Sequence, residues 1–358
     1  MTHTQRQHFE VLDGLRGMAA LAVVIFHFAE IIAPDGSHNF IGHGFLAVDF
    51  FFCLSGFVIA YAYDDRIDSL GLAEFFRSRL IRLHPMVVFG SVLGLLGFYI
   101  QSQFSPAGPI DWLAIAGIFL CSLLMIPLPI MAGRFYNNFG LNAPAWSLFW
   151  EYIANVLYAL VLRRIHRRYL MMLIGLAAAA IVWVITKEGS LLGGWSGGTF
   201  WDGLVRVTYS FLAGMFIYRS KWIISNRLGF WPLAIGLLLA FLAPFGKWNV
   251  FSESLIVLIY FPLLIALGAG TAPAPRVQKF CVFAGKMSYP LYMTHYWLMW
   301  MFGDYMNTHR PAGMPLLGIV LGTLASQLIL AWLVMVRYDI PVRRVLSRQR
   351  RVPIVAAK

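Results

Sequence analysis

Charge is what this sequence lacks. Of 358 residues only 12% are Asp, Glu, Lys or Arg, while 59% are hydrophobic; a soluble chain of this length carries about one-quarter charged residues. So little charge cannot cover a water-facing surface, and no stretch is polar enough to form a soluble domain. Acidic residues are scarcer than basic ones, 16 against 28, for a formal charge of +12. Cysteine is nearly absent too. Cys53, Cys121 and Cys281 lie in or beside apolar blocks with neither paired nor metal-like spacing, which excludes a disulfide framework and leaves structural packing as their reading. No metal is expected. No small-residue cleavage site follows the first apolar run, so that run reads as a retained span rather than a signal peptide.

The positive excess has a place. Arg and Lys gather between apolar blocks, in "RSRLIR" (77–82), "RRIHRR" (163–168), "RSKWIISNR" (219–227) and "RRVLSRQRR" (343–351). Cytoplasmic loops of membrane proteins have this pattern, because positive residues resist translocation and meet anionic headgroups. The charge therefore reports topology and lipid contact, not nucleic-acid binding.

With about 20 apolar residues per span, about eleven blocks stand out, roughly at 15–33, 44–63, 85–101, 110–131, 144–162, 169–186, 203–218, 230–246, 251–270, 288–303 and 314–336. "SPAGP", "GSLLGGWSGG" and "TAPAP" punctuate the connections as breakers do. Starting from a cytoplasmic N-terminus, the basic stretches fall inside and the segments 187–202, 247–250 and 304–313 fall outside. Between 84 and 163, three blocks must supply an even number of crossings. One is therefore re-entrant or interfacial, and 110–131, which ends in "IPLPIMAG", is the expected one. The fold class is all-α: a polytopic transmembrane bundle of about ten crossings plus that segment, with both termini cytoplasmic. The chain reads as a single integral-membrane domain over 1–358, with a short basic cytoplasmic tail at 337–358. No internal repeat is evident, which counts against the inverted halves of many transporters.

An ionisable group inside a span costs roughly 2.5–3.5 kcal/mol on insertion scales, so each one calls for a reason. "LDGLRGMAALAVVIFHF" (12–28) carries Arg16 and His27. On a helix the eleven-residue spacing is three turns plus about 20°, which puts both on one face roughly 16 Å apart. Arg16 sits at the cytoplasmic mouth, where it reads equally as a topology anchor and can pair with Asp13. His27 sits at mid-depth or beyond, and its imidazole is the natural acid–base group near neutral pH.

The second block, "GFLAVDFFFCLSGFVIAY", holds Asp49, Ser55 and Gly56. Small residues there suit close helix packing, and without a nucleophile-elbow pattern a Ser55–His27–Asp49 hydrolase triad is disfavoured. In "FFRSRLIRLHP", Arg79 and Arg82 share a helical face just before what reads as a Pro-started span; positive-inside topology accounts for their presence, and guanidinium forks could also hold phosphates bidentately. Glu151, in "NAPAWSLFWEYIANVLY", is either protonated and hydrogen-bonded or paired with a cation such as Arg16, Arg206 or a histidine. Arg206 near the outer end of its span calls for Glu151 or Asp202. In "GKMSYPLYMTHYWLMW" (285–300), Ser288, Tyr292 and His295 recur at four and three residues, one face of a helix.

These stretches, in this order, resemble the membrane-bound acyltransferase-3 family along nearly the whole chain. The resemblance implies an integral-membrane transferase that moves an acyl group, usually acetyl, from cytoplasmic acyl-CoA to a hydroxyl of a glycan or other cell-surface or secreted acceptor, as an O-acetyltransferase of the cytoplasmic (inner) membrane. The family's Arg-and-His pair falls on Arg16 and His27, its basic pair on Arg79 and Arg82, and its acidic span residue on Glu151. His27 is then expected as general base or transient acyl carrier. Arg16, Arg79 and Arg82 are expected to hold the phosphates of CoA, and Glu151 to orient His27 or a cation. Asp49, Ser55, Arg206, Ser288, Tyr292 and His295 are expected to line or support the substrate path. His84 stands where an aromatic residue is usual before Pro85, and "MTH" replaces the more usual "LWH". Some relatives carry an extracytoplasmic esterase-like domain; the chain ends too soon for one, so that share of the transfer is either unnecessary or supplied by a separate protein. The competing class is a multi-span transporter or flippase whose intramembrane charges form a substrate path.

Overall fold

The computed structural model describes residues 7–104 and 111–348. The breaker "SPAGP" and the last ten residues of the basic tail lie outside them. Among the described residues the chain is helical, with no strand beyond one isolated bridge, Asn137 with Ser196. Six helices are long and apolar enough to cross a membrane: Glu10–Ile32, Gly44–Tyr63, Leu72–Gln103, Arg167–Glu188, Asn249–Ala269 and Gly313–Ser347.

The first apolar run forms α1 (Glu10–Ile32), whose buried face packs along a later helix described below. Next, α2 (Ala47–Tyr63) follows a short 3-10 turn. After the single-turn α3 (Ile67–Leu70) comes α4 (Leu72–Phe104). Here the structure departs from the expected Pro-started span. The basic stretch and the apolar block form one 33-residue helix with Pro85 inside it. Proline removes one ladder hydrogen bond and pushes back the preceding carbonyls. Next to the proline, Tyr289 donates to Leu83 O at 2.5 Å and Tyr338 to Pro85 O at 3.1 Å, while the carbonyl that loses its ladder bond is that of Ile81. A helix of that length, about 50 Å, exceeds the hydrocarbon thickness of a bilayer.

The block at 110–131 holds only α5 (Trp112–Leu123), 12 residues capped by Asp111 through Leu113 N and Ala114 N. At about 18 Å it is too short to span alone. A proline-rich loop follows, with positive φ at Met125, Phe135 and Tyr136. Then come α6 (Ala145–Leu160), α7 (Arg167–Glu188), α8 (Phe200–Arg219), α9 (Phe230–Phe241), α10 (Asn249–Leu255) and, after a π-helical turn, α11 (Phe261–Ala269). The block at 288–303 differs most from expectation. Its helix α12 begins at Pro275 and ends at Thr294, and α13 (Tyr296–His309) starts beyond a break at His295. Last, α14 (Gly313–Val334) runs through a second π-turn into α15 (Ile340–Arg348), so the basic strip after 337 is helical as far as it is described.

Two packed pairs hold the centre. Along one, α1 lies against α12; along the other, α2 lies against α8. The second pair is close enough to need glycine on both sides. A Cβ at Gly56 would fall 2.0 Å from Phe211 O, and one at Gly214 would fall 1.9 Å from Cys53 O. Gly56 is thus a backbone-contact residue of the small-residue type that membrane helices use.

Candidate active site

The polar stripe of α1 meets the polar stripe of α12, rung by rung. At the lower rung, Arg16 donates from Nε to Ser288 Oγ at 3.0 Å and from Nη2 to Gly285 O at 2.8 Å, and pairs with Asp13 at 2.8 Å. At the upper rung, His27 stacks on His295 with ring centroids 5.4 Å apart. Tyr292 lies between the rungs. The expected common face of Ser288, Tyr292 and His295 is thus aligned with the common face of Arg16 and His27.

Each rung opens a cavity. The lower one, about 160 Å³, is walled by Arg16, Arg79, Arg82, Glu151, Ser55 and Ser288 among others. Glu151 Oε1 accepts from Arg79 Nη2 at 3.0 Å and from Ser55 Oγ at 2.9 Å. Of the cations that the sequence offered to Glu151, then, neither Arg16, Arg206 nor a histidine is its hydrogen-bond partner. Arg79 is, because α4 and α6 bring the two together across 72 residues of chain. Arg79 Nε is buried without a partner, and among the described residues Arg82 makes no hydrogen bond or ion pair. Three guanidiniums facing two carboxylates (Asp13 and Glu151), with unused N–H donors, form a site suited to a polyanion.

The upper cavity, about 560 Å³, holds His27, Glu30, His295 and an aromatic wall that includes Trp146, Trp195 and Trp300. His27 Nδ1 lies 3.0 Å from Glu30 Oε2. A carboxylate oxygen accepts, so Nδ1 is the donor of this bond, and in the neutral ring Nε2 keeps its lone pair. His295 is held the same way, with Nδ1 donating to Tyr292 O at 2.8 Å. Glu30 was not anticipated, although the spacing "HFAE" puts it three residues after His27 on the same face.

Asp49 and Arg206 form a buried pair whose arginine also lines the upper cavity. Arg206 reaches Asp49 through Nε at 3.2 Å and Nη2 at 2.6 Å, and also donates to Gly193 O and Phe45 O. Both side chains are buried, at 1% and 0% exposure. Arg206 is therefore paired with Asp49, not with Glu151 or Asp202. Ser55, His27 and Asp49 thus bond to three different partners, so no hydrolase triad exists. His84 faces Tyr152 OH at 3.3 Å. Among the described residues no group of three or more His, Cys, Asp or Glu is placed to hold a metal.

A family model described as "Acyltransferase domain" matches residues 9–336. The chain belongs to the acyltransferase-3 family. Three relatives show its breadth. Protein 2 in picA locus of Rhizobium radiobacter is 33% identical over 168 residues, 44% of this chain and 85% of that protein. Acyltransferase MdmB of Streptomyces mycarofaciens is 32% identical over 181 residues, 48% of this chain and 44% of MdmB. O-acetyltransferase OatA of Staphylococcus aureus (strain NCTC 8325 / PS 47) is 26% identical over 312 residues, 80% of this chain and 49% of OatA. The aligned regions thus span a little under half the length of MdmB and OatA. No solved structure matches.

Proposed function

We propose that the protein is an integral-membrane O-acyltransferase of the cytoplasmic membrane that moves an acyl group, acetyl in the first instance, from acyl-CoA to a hydroxyl of a glycan or other cell-surface or secreted acceptor. One observation carries the reading: two aligned stripes put an anion site at one end and a carboxylate-oriented imidazole at the other. Their separation along α1, roughly 16 Å, approaches an extended pantetheine arm. Arg16, Arg79 and Arg82 hold the phosphates, and the thioester reaches the upper cavity. There His27 Nε2 takes the proton of the acceptor hydroxyl while its oxygen attacks the thioester carbonyl. The tetrahedral adduct collapses, the C–S bond breaks, and the thiolate leaves with the proton that His27 returns. Glu30 keeps the imidazole in the required tautomer. The tryptophans and the amides of Asn137 and Asn307 in the upper cavity suit a sugar ring, which offers apolar faces and many hydroxyls.

The topology proposed with this function has about ten crossings and cytoplasmic termini. The six apolar helices supply part of the count, and α6, α8, α9 and α12 supply the rest. In that arrangement α5 is the segment that does not cross, and every Arg-rich connection lies on the cytoplasmic side. The test is labelled acetyl-CoA given to the protein in liposomes, with glycans extracted from a strain deleted for the gene. Acceptor-dependent release of free CoA, with label in the glycan, supports transfer; acetyl-CoA left intact sinks it in favour of a transporter or flippase.

A further inference from the structure

Val48 and Tyr292 are the residues common to both cavity walls. Tyr292 stands on α12 one turn above Ser288, which binds Arg16, and about one turn below His295, which stacks on His27. Its hydroxyl lies 2.7 Å from Ser147 Oγ. Ser147 donates its own hydrogen to Pro144 O at 3.1 Å, so Tyr292 is the donor in the pair. The ring stands edge-on to Phe51 with centroids 5.7 Å apart, and Tyr292 is only 9% exposed despite the space on either side. A basic chamber and an imidazole chamber at the two ends of one helix would, if joined, make a wetted path through the bilayer. Apolar constrictions close such paths by excluding water.

We infer that Tyr292, latched to Ser147, forms with Val48 a septum that seals the two chambers from each other until the acyl-pantetheine arm displaces it. Rotation of the ring breaks a single hydroxyl-to-hydroxyl bond. The two freed hydroxyls, Ser147 Oγ and Tyr292 OH, then meet the amides of the arm, which carries both donors and acceptors. Val48, which lines both cavities, supplies an apolar part of the slot's wall. The seal stands on the cavities alone, whereas displacement by the arm rests on the acyl-CoA reading above.

The experiment reconstitutes the full chain into liposomes that trap a pH-sensitive dye, and follows proton entry after an external acid step. Tyr292→Ala and Tyr292→Cys should admit protons about tenfold faster than the wild type or more, and Tyr292→Phe, which keeps the ring, should stay near the wild-type rate. Benzyl methanethiosulfonate puts an aromatic ring back on the cysteine variant and should restore the seal. External acetyl-CoA should slow that labelling. The wild type, which retains Cys53, Cys121 and Cys281, is treated alongside as the control. Tight Tyr292→Ala liposomes overturn the septum, and so does a Tyr292→Cys leak that persists after benzylation, since it would come from misfolding. Labelling indifferent to acetyl-CoA overturns the displacement. If the wild type also releases no CoA from acetyl-CoA, the failure belongs to the transfer reading and the leak series stands by itself.

Discussion

The Glu30 carboxylate offers the sharpest test of how His27 is prepared. The bond from His27 Nδ1 to Glu30 Oε2 is 3.0 Å and links residues one helical turn apart, both on α1. A hydrogen bond to a charged partner contributes about 1.5–3 kcal/mol. If that energy serves to hold the tautomer and ring orientation needed in the transition state, its loss lowers kcat by about 10- to 150-fold, at about 1.4 kcal/mol per factor of ten. Glu30→Ala is expected in that range. Glu30→Gln keeps an acceptor oxygen but not the charge, and neutral bonds are about half as strong, so its loss is expected near 3- to 13-fold. The KM for acetyl-CoA should not move in either variant, because Arg16, the guanidinium on α1 proposed to bind the donor, lies roughly 16 Å away. The assay is steady-state transfer of labelled acetyl groups by the protein in liposomes, with donor and acceptor varied separately. A Glu30→Ala protein within twofold of wild-type kcat would refute the orientation argument. So would a donor KM that rises in step with the fall in kcat, because that would mean a general loss of structure.

Three further outcomes follow from other parts of the molecule. Arg82→Gln removes a guanidinium that makes no hydrogen bond or ion pair among the described residues, so the KM for acetyl-CoA should rise by about tenfold or more while kcat and the melting temperature hold; steady-state kinetics and thermal melts in detergent check both. Gly56→Ala drives a methyl group to 2.0 Å from Phe211 O and is expected to cost about 1–3 kcal/mol of stability, read as a lower melting temperature with no specific change in either KM. Asp49→Asn leaves the buried Arg206 charge without its counter-ion, at an expected cost of about 3–5 kcal/mol. Replacing both members, Asp49→Asn with Arg206→Met, should recover part of that stability, and a double variant less stable than Asp49→Asn alone would contradict the pairing.

Periodicity made part of the site legible, and tertiary packing hid the rest. Arg16 and His27 are related by α1 alone, and Ser288, Tyr292 and His295 by α12 and its first residue beyond, so spacing sufficed to group them. The partners across helices could not be read that way. Glu151 and Arg79 are 72 residues apart, and Asp49 and Arg206 are 157 apart; with several cations in apolar spans, only the packing of α4 on α6 and of α2 on α8 chooses among them. Glu30 was within reach of the i,i+3 rule, but a carboxylate at the end of an apolar run looks like an interfacial residue until a histidine turns toward it. The proline signals misled in a physical way. Pro85 reads as a helix start, yet α4 continues through it, tied there to α12 and the last π-turn by the hydrogen bonds of Tyr289 and Tyr338. Block lengths showed the same limit: α9 and α5 have 12 residues each, and length alone does not tell a crossing from a re-entrant segment.

The central claim is that His27 receives the proton of the acceptor hydroxyl. Its most direct measurement is acetyl transfer by His27→Ala in liposomes, with binding of acetyl-CoA measured on the same preparation. Donor binding should be kept, since Arg16, Arg79 and Arg82 are untouched, and acceptor-dependent release of CoA should fall to background. A His27→Ala protein that still transfers acetyl groups at a rate near the wild type would contradict proton transfer to His27.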